Sequence, residues 1–180
     1  MSEITITNED NMKLMARYED NYFDLAIVDP PYGIGFGAFN RTNKASDGTR
    51  IKADKYKNSD WDDGIPNEDY FKELFRVSKE QIIWGGNYFL DHLGAARCML
   101  IWDKKNGTNP LADAEIAWTN LDRPVRRFTM HHFESGYDKK IHPTQKPVRL
   151  YEWILETFAK PTDTILDADE IYARSQRLFT

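Results

Sequence analysis

The sequence contains a single cysteine, Cys98, which excludes an internal disulfide. A chain of this kind suits a reducing compartment, so we expect a cytoplasmic protein. It contains no signal segment and no apolar run long enough to span a bilayer, which predicts no membrane partner. There is no cysteine pair, and His131, His132 and His142 lack the spacing of metal ligands, so no metal site is predicted.

Two common catalytic patterns are also missing. The sequence has no G-x-S-x-G nucleophile elbow and no Walker phosphate-binding pattern. Gly33, Gly35 and Gly37 have part of the spacing of a dinucleotide-binding loop, but they follow two prolines and open no helix. We therefore do not interpret these glycines as a nucleotide site.

The length of 180 residues predicts a single domain with its own core, assigned to residues 1–180. Strand and helix patterns alternate, which predicts an α/β fold with a mixed, mainly parallel sheet. The predicted strands are residues 4–7, 24–28, 81–84, 98–102 and 162–167. The predicted helices are residues 12–18, 66–78, 88–93 and 148–158. Residues 112–119 and 125–130 are predicted to pair antiparallel at the sheet edge.

The stretch that organises the sequence is the apolar run 25–28 and the Asp29-Pro30-Pro31-Tyr32 that follows it. A short, uninterrupted apolar run is typical of a parallel strand buried on both faces. The two prolines end the strand, because neither can donate to the sheet. Asp29 and Tyr32 are therefore expected at the carboxyl end of a central strand, where open α/β sheets bind ligands.

The chemistry of this stretch suits a planar heterocycle that carries an exocyclic amino group. The Asp29 carboxylate and the Pro30 carbonyl can both accept hydrogen bonds from one NH2 group. The Tyr32 ring can stack on the flat ring that bears it. A strand-ending turn with an incidental acidic residue is the alternative.

Charge is unevenly distributed along the chain. The net charge of −5 argues weakly against nucleic-acid binding. However, residues 36–60 hold six basic and three acidic residues, and residues 123–146 hold six basic and two acidic residues. These segments could contact phosphates, or they could be solvated loops. The candidate contacts are Arg41, Lys44, Arg50, Lys52, Arg126 and Arg127.

Residues 33–64 have no clear periodicity and are predicted to form a long basic loop directly after Tyr32. A loop of this length inside a domain is usually a lid or is disordered. We expect it to close over the site or to contact phosphates.

A second motif, His142-Pro-Thr-Gln-Lys-Pro147, precedes the predicted helix 148–158. Together the two motifs resemble those of DNA amino-methyltransferases, which methylate adenine N6 or cytosine N4. The Asp form of the first motif is commoner among the adenine enzymes. The resemblance is strongest to phage and mobile-element adenine methylases of the permuted type, in which the catalytic motif precedes the cofactor motif. Such enzymes include those of restriction-modification systems.

The resemblance implies a Rossmann-like, S-adenosylmethionine-dependent methyltransferase fold that acts on double-stranded DNA with a flipped base. It also assigns residue roles. Asp29, Pro30, Pro31 and Tyr32 would be catalytic. Asp10, Thr144, Gln145, Lys146 and Asp167 would bind the cofactor, although Asp10 can equally be an ordinary helix cap.

The sequence departs from this family after Asp167. A glycine-rich cofactor turn is expected there, but no glycine follows Gly136. We therefore expect the C-terminal part of the fold to be incomplete. Three alternatives stay open: a catalytically defective DNA-binding remnant, a cytosine-N4 enzyme, and an enzyme whose cofactor site is completed by a second chain.

Overall fold

The computed structural model describes residues 4–35, 62, 64–107, 112–131 and 145–168. Within these residues, six strands and three α-helices form. The strands are β1 (Phe23–Val28), β2 (Ser78–Trp84), β3 (Met99–Asp103), β4 (Ala114–Thr119), β5 (Arg126–Thr129) and β6 (Ile165–Leu166). The helices are α1 (Asn11–Met15), α2 (Glu68–Val77) and α3 (Val148–Phe158), with a 3-10 turn over Gly86–Tyr88.

The strands form one sheet in the order β5-β3-β4-β2-β1-β6. Strand β1 is parallel to both of its neighbours, and β5 is parallel to β3. Strand β4 runs antiparallel to both β2 and β3. The predicted α/β fold with a mixed, mainly parallel sheet is confirmed.

Strand β1 is buried on both faces, as its uninterrupted apolar run predicts. Ala26 and Val28 pack into one core cluster, whereas Leu25 and Ile27 pack into another on the opposite face. Because successive side chains of a strand point to opposite faces, each core receives every second residue.

The helices cover the two faces of the sheet. Helix α2 begins after Asn67, whose side chain accepts a hydrogen bond from the backbone N–H of Tyr70 at 3.0 Å. Its buried residues join the core cluster that contains Val28, while Leu150, Ile154 and Phe158 of α3 join the cluster that contains Leu25. The i, i+4, i+8 spacing places these α3 residues on one face. None of the described helices is long and apolar enough to cross a membrane.

Three local predictions were wrong. Residues 4–7 form no strand, and Ile4 and Ile6 are 83% and 60% exposed, because alternation alone provides no partner to bury them. The predicted helix 88–93 is replaced by the 3-10 turn Gly86–Tyr88 and further turns.

The third error concerns the pairing of the last sheet segments. Strand β4 lies between β2 and β3, and β5 forms the edge by pairing parallel with β3. Ala117, Trp118 and Thr119 are almost completely buried, which suits a strand that has a neighbouring strand on each side. The exposed residues of β5 suit an edge.

We predict that Leu74→Ala lowers the free energy of unfolding by about 2–5 kcal/mol, because Leu74 is fully buried and truncation leaves a cavity. Urea unfolding measures the loss. The matched control is Leu155→Ala, at a helical leucine that is 39% exposed, with an expected change of about 0.5 kcal/mol or less. Equal losses in the two variants would contradict this packing.

Candidate active site

Charged and polar side chains converge at one end of the strands, which we call the carboxyl edge of the sheet. Asp29 follows β1, Gly85 follows β2 and Lys104 follows β3, and these three strands run in the same direction. Because β4 runs the opposite way, its amino end brings Glu115 to the same edge. Residues that are distant in the sequence thus meet where parallel strands end, the usual ligand site of such sheets.

Within the described part of the chain, two donors hold Asp29. The hydroxyl of Tyr32 donates to Asp29 Oδ1 at 2.6 Å, and the ammonium of Lys146 forms an ion pair with Oδ2. Lys146 Nζ also donates to the Tyr32 hydroxyl oxygen at 3.1 Å. Asp29 is 8% exposed and the Lys146 side chain 2% exposed, so the pair lies in a largely water-excluded setting. There, each charge requires its partner.

Glu115 extends this network. Its Oε2 lies 3.3 Å from Lys146 Nζ, and its Oε1 lies 2.5 Å from Lys104 Nζ. Burial alone raises the pKa of Glu115, but the neighbouring ammonium groups of Lys146 and Lys104 outweigh burial and lower it overall. Glu115 is therefore ionised near neutral pH, and negative and positive groups alternate from Asp29 to Lys104.

Tyr32 is kept as a neutral phenol. Burial raises its pKa well above the usual value, and the negative charges of Asp29 and Glu115 raise it further. The hydroxyl therefore keeps its proton near neutral pH and can donate to Asp29.

The turn that carries Tyr32 is fixed by a distant carboxylate. Asp62, which is 2% exposed, accepts hydrogen bonds from the backbone N–H groups of Tyr32 and Gly33 at 2.8 and 2.9 Å. Two charge-assisted hydrogen bonds to adjacent amides restrain this turn strongly.

The Tyr32 ring is enclosed by Tyr88 and Gly85. The rings of Tyr32 and Tyr88 are stacked, with centroids 4.9 Å apart and planes 16° apart. Gly85 has φ +71°, and a Cβ atom there would overlap the Tyr32 ring. Glycine is thus required both by the backbone conformation and by the close approach of the ring. Tyr88 is 43% exposed, so a planar ligand could replace it against Tyr32.

The structure brings together Asp29, Pro30, Pro31 and Tyr32 at the sheet edge, as expected. It also places Lys146 on Asp29, a contact that the sequence did not predict. Asp167 directly follows β6, and the pairing of Ala26 with Leu166 places it beside the carboxyl end of β1.

Of the other residues predicted to bind the cofactor, the structure describes Asp10 and Gln145. Asp10 caps α1 by accepting from the backbone N–H of Lys13 at 3.0 Å, so its carboxylate has a structural role. Gln145 is half-buried beside Lys146. Thr144 lies outside the described residues. The cofactor contacts of all five candidates stay predictions.

The basic segments are described only in part. Arg126 and Arg127 are exposed on β5, and Arg127 lies 3.7 Å from Asp103. Most of the loop 33–64 is outside the described residues, together with Arg41, Lys44, Arg50 and Lys52. Their contacts with DNA stay predictions.

The sequence interpretation assigned no role in the site to Glu115, Lys104, Asp62 or Tyr88. An acidic residue between Ala114 and Ile116, in a mainly apolar strand, was a usable signal for Glu115. The role of Asp62 had no local signal, because its partners lie 29 and 30 residues away.

No protein-family model matches the chain, and no curated protein matches it. Comparison with solved structures finds, among others, a Thermus thermophilus protein described as a DNA modification methylase. Its TM-score is 0.45 and its identity 15%, over 88% of this chain and 76% of that chain. PvuII DNA methyltransferase, which is cytosine-N4-specific, has a TM-score of 0.45 and 13% identity, over 88% and 71%.

We predict that Gly85→Ala destabilises the protein by at least about 2 kcal/mol, because the new methyl group is strained at positive φ and overlaps Tyr32. Urea unfolding measures the loss, and near-ultraviolet circular dichroism reports the disturbed tyrosine stack. Gly94→Ala is the control, because a Cβ atom at Gly94 meets no other atom within 4 Å. Unfolding of both variants at the same urea concentration would refute the close approach.

Proposed function

We propose that this protein transfers a methyl group from S-adenosylmethionine to the exocyclic amino group of a base in DNA, with adenine N6 as the first candidate target. The observation that carries the proposal is the buried Asp29 carboxylate beside the Tyr32 ring, fixed at the end of a central strand by Pro30 and Pro31. The resemblance of the two motifs to amino-methyltransferases supports it.

The amino group of a nucleobase is a poor nucleophile, because its lone pair is conjugated with the ring. Asp29 and the Pro30 carbonyl would accept the two N–H groups and direct the lone pair out of the ring plane. Asp29 could then take the proton that the amino group loses. Since Asp29 and the turn are already rigid, the contribution of the protein is chiefly positioning.

The base would stack on Tyr32, in the place that Tyr88 occupies in this structure. A base inside a duplex cannot reach a recessed carboxylate, so it would have to rotate out of the helix. The two basic segments would contact the phosphates of the flanking duplex.

Two of the described cofactor candidates suit S-adenosylmethionine. Asp167 carries an exposed carboxylate beside the end of β1, and carboxylates suit ammonium and hydroxyl groups. Gln145 can both donate and accept. When bound, the cofactor would supply an electrophilic methyl group.

One observation favours a second candidate function, a DNA-binding protein without methyl transfer. Residues 167–180, which follow β6, contain no glycine, although the resemblance to amino-methyltransferases leads us to expect a glycine-rich turn directly after that strand. Calorimetry with S-adenosylhomocysteine separates the two functions, because micromolar binding contradicts the non-catalytic alternative.

We predict that Asp29→Ala lowers methyl transfer from tritiated S-adenosylmethionine to mixed-sequence duplex DNA by at least about 100-fold, because it removes a positioned acceptor. Mass spectrometry of digested DNA identifies the product, with N6-methyldeoxyadenosine expected and N4-methyldeoxycytidine indicating the other base.

The matched control is Asp69→Ala, at an exposed carboxylate of α2, which should retain the wild-type rate. Label transfer by the wild-type protein that is no faster than by Asp29→Ala would refute the proposed function.

A further inference from the structure

We propose that Glu115 is a positioning residue for the target amino group: it takes over the Lys146 ammonium when that amino group occupies Asp29. The inference rests on the proposed function for the identity of the ligand. Its first step, that Lys146 has two interchangeable carboxylate partners, can be tested without any ligand.

Asp29 has little capacity for a new donor in this structure. Its Oδ1 accepts from the Tyr32 hydroxyl, and its Oδ2 is paired with Lys146. Only 11% of its side chain is exposed. An incoming amino group must therefore displace one of these donors or weaken its bond. The Lys146 ammonium resembles the amino group in being a nitrogen donor, so it occupies the position that the ligand needs.

Glu115 is placed to receive the displaced ammonium. Its Oε2 lies 3.3 Å from Lys146 Nζ, whereas Asp29 is the closer partner of that ammonium. A small movement of the flexible lysine side chain would make Glu115 the closer partner instead. Lys104 holds the other oxygen of Glu115 at 2.5 Å and fixes the carboxylate in place. Lys146 need not enter water or lose its proton during the exchange.

Charge balance favours transfer of the Lys146 ammonium to Glu115 over displacement that leaves this ammonium without a carboxylate. Among the residues that the structure describes, two ammonium and two carboxylate groups alternate here, and moving Lys146 from one carboxylate to the other leaves their total charge unchanged. Removing every carboxylate from a buried ammonium is strongly unfavourable, because neighbouring charges must replace lost hydration. Glu115 therefore sets how easily Asp29 becomes available.

A double-mutant cycle with Asp29→Asn and Glu115→Gln tests the interchange. Each single variant leaves Lys146 one of the two carboxylates, so a decrease of a few degrees in the melting temperature is expected. The double variant removes both, and we expect a decrease about 5–10 °C larger than the sum of the two single effects. Additive decreases would overturn the proposal.

The matched control cycle is Asp20→Asn with Glu73→Gln. These carboxylates flank Arg76 at 2.9 and 2.8 Å, but the arginine side chain is 30% exposed. Water can replace either partner there, so the two effects should be small and additive.

Methyl-transfer kinetics test the link to the substrate. With Glu115→Gln, Lys146 stays on Asp29 and competes with the amino group, so KM for duplex DNA should rise about tenfold while kcat changes less than about twofold. Glu115→Asp keeps the charge and should restore part of the loss.

The outcomes separate the two proposals. A reduced kcat at unchanged KM in Glu115→Gln would overturn the exchange and leave the proposed function intact. Absence of methyl transfer in the wild-type protein would refute the proposed function. The thermal cycle would then still decide whether Asp29 and Glu115 are alternative partners of Lys146.

Discussion

The ion pairs of a single buried ammonium, that of Lys146, connect the parts of the site. Lys146 precedes α3, Asp29 follows β1 and Glu115 is the second residue of β4, so the contacts join three segments that are distant in the sequence. In a poorly hydrated setting, an ammonium requires nearby negative charge and carboxylates require nearby positive charge. This mutual requirement fixes how the start of α3 sits against the edge of the sheet.

Other constraints act on Tyr32 and depend on that arrangement. Pro30 and Pro31 end the strand, Asp62 binds the turn through two backbone amides, and Gly85 makes room for the ring. Each constraint comes from a different part of the chain. The result is a hydroxyl directed at Asp29 and an aromatic face on which Tyr88 now stacks. In the proposed function, a planar amine would take the place of Tyr88 against this ring and of Lys146 on Asp29.

The sequence predicted those features that depend on local pattern. Strand β1 followed from its apolar run, and α3 was predicted with its observed bounds because Leu150, Ile154 and Phe158 recur at helical spacing. Asp29 and Tyr32 were located because two prolines mark the end of that strand. The exposed segment 4–7 was wrongly predicted as a strand, because alternation does not show whether a partner strand is available.

Features that depend on distant partners were not predicted. Glu115 and Lys104 enter the network only because β4 lies antiparallel between β2 and β3, and the sequence had suggested a different pairing. Lys146 was predicted as a site residue through its motif. Its contact with Asp29, far away in the sequence, was not apparent, because sequence spacing alone does not define such a contact.

The most direct test of this account is nuclear magnetic resonance of the Lys146 ammonium in protein labelled with 15N-lysine. Loss of the signal in Lys146→Arg assigns it. A buried, paired ammonium should exchange slowly with water, and its resonance should move in both Asp29→Asn and Glu115→Gln but not in Glu73→Gln. A wild-type spectrum without such a signal, or one that neither variant changes, would contradict the shared ammonium at the centre of the site.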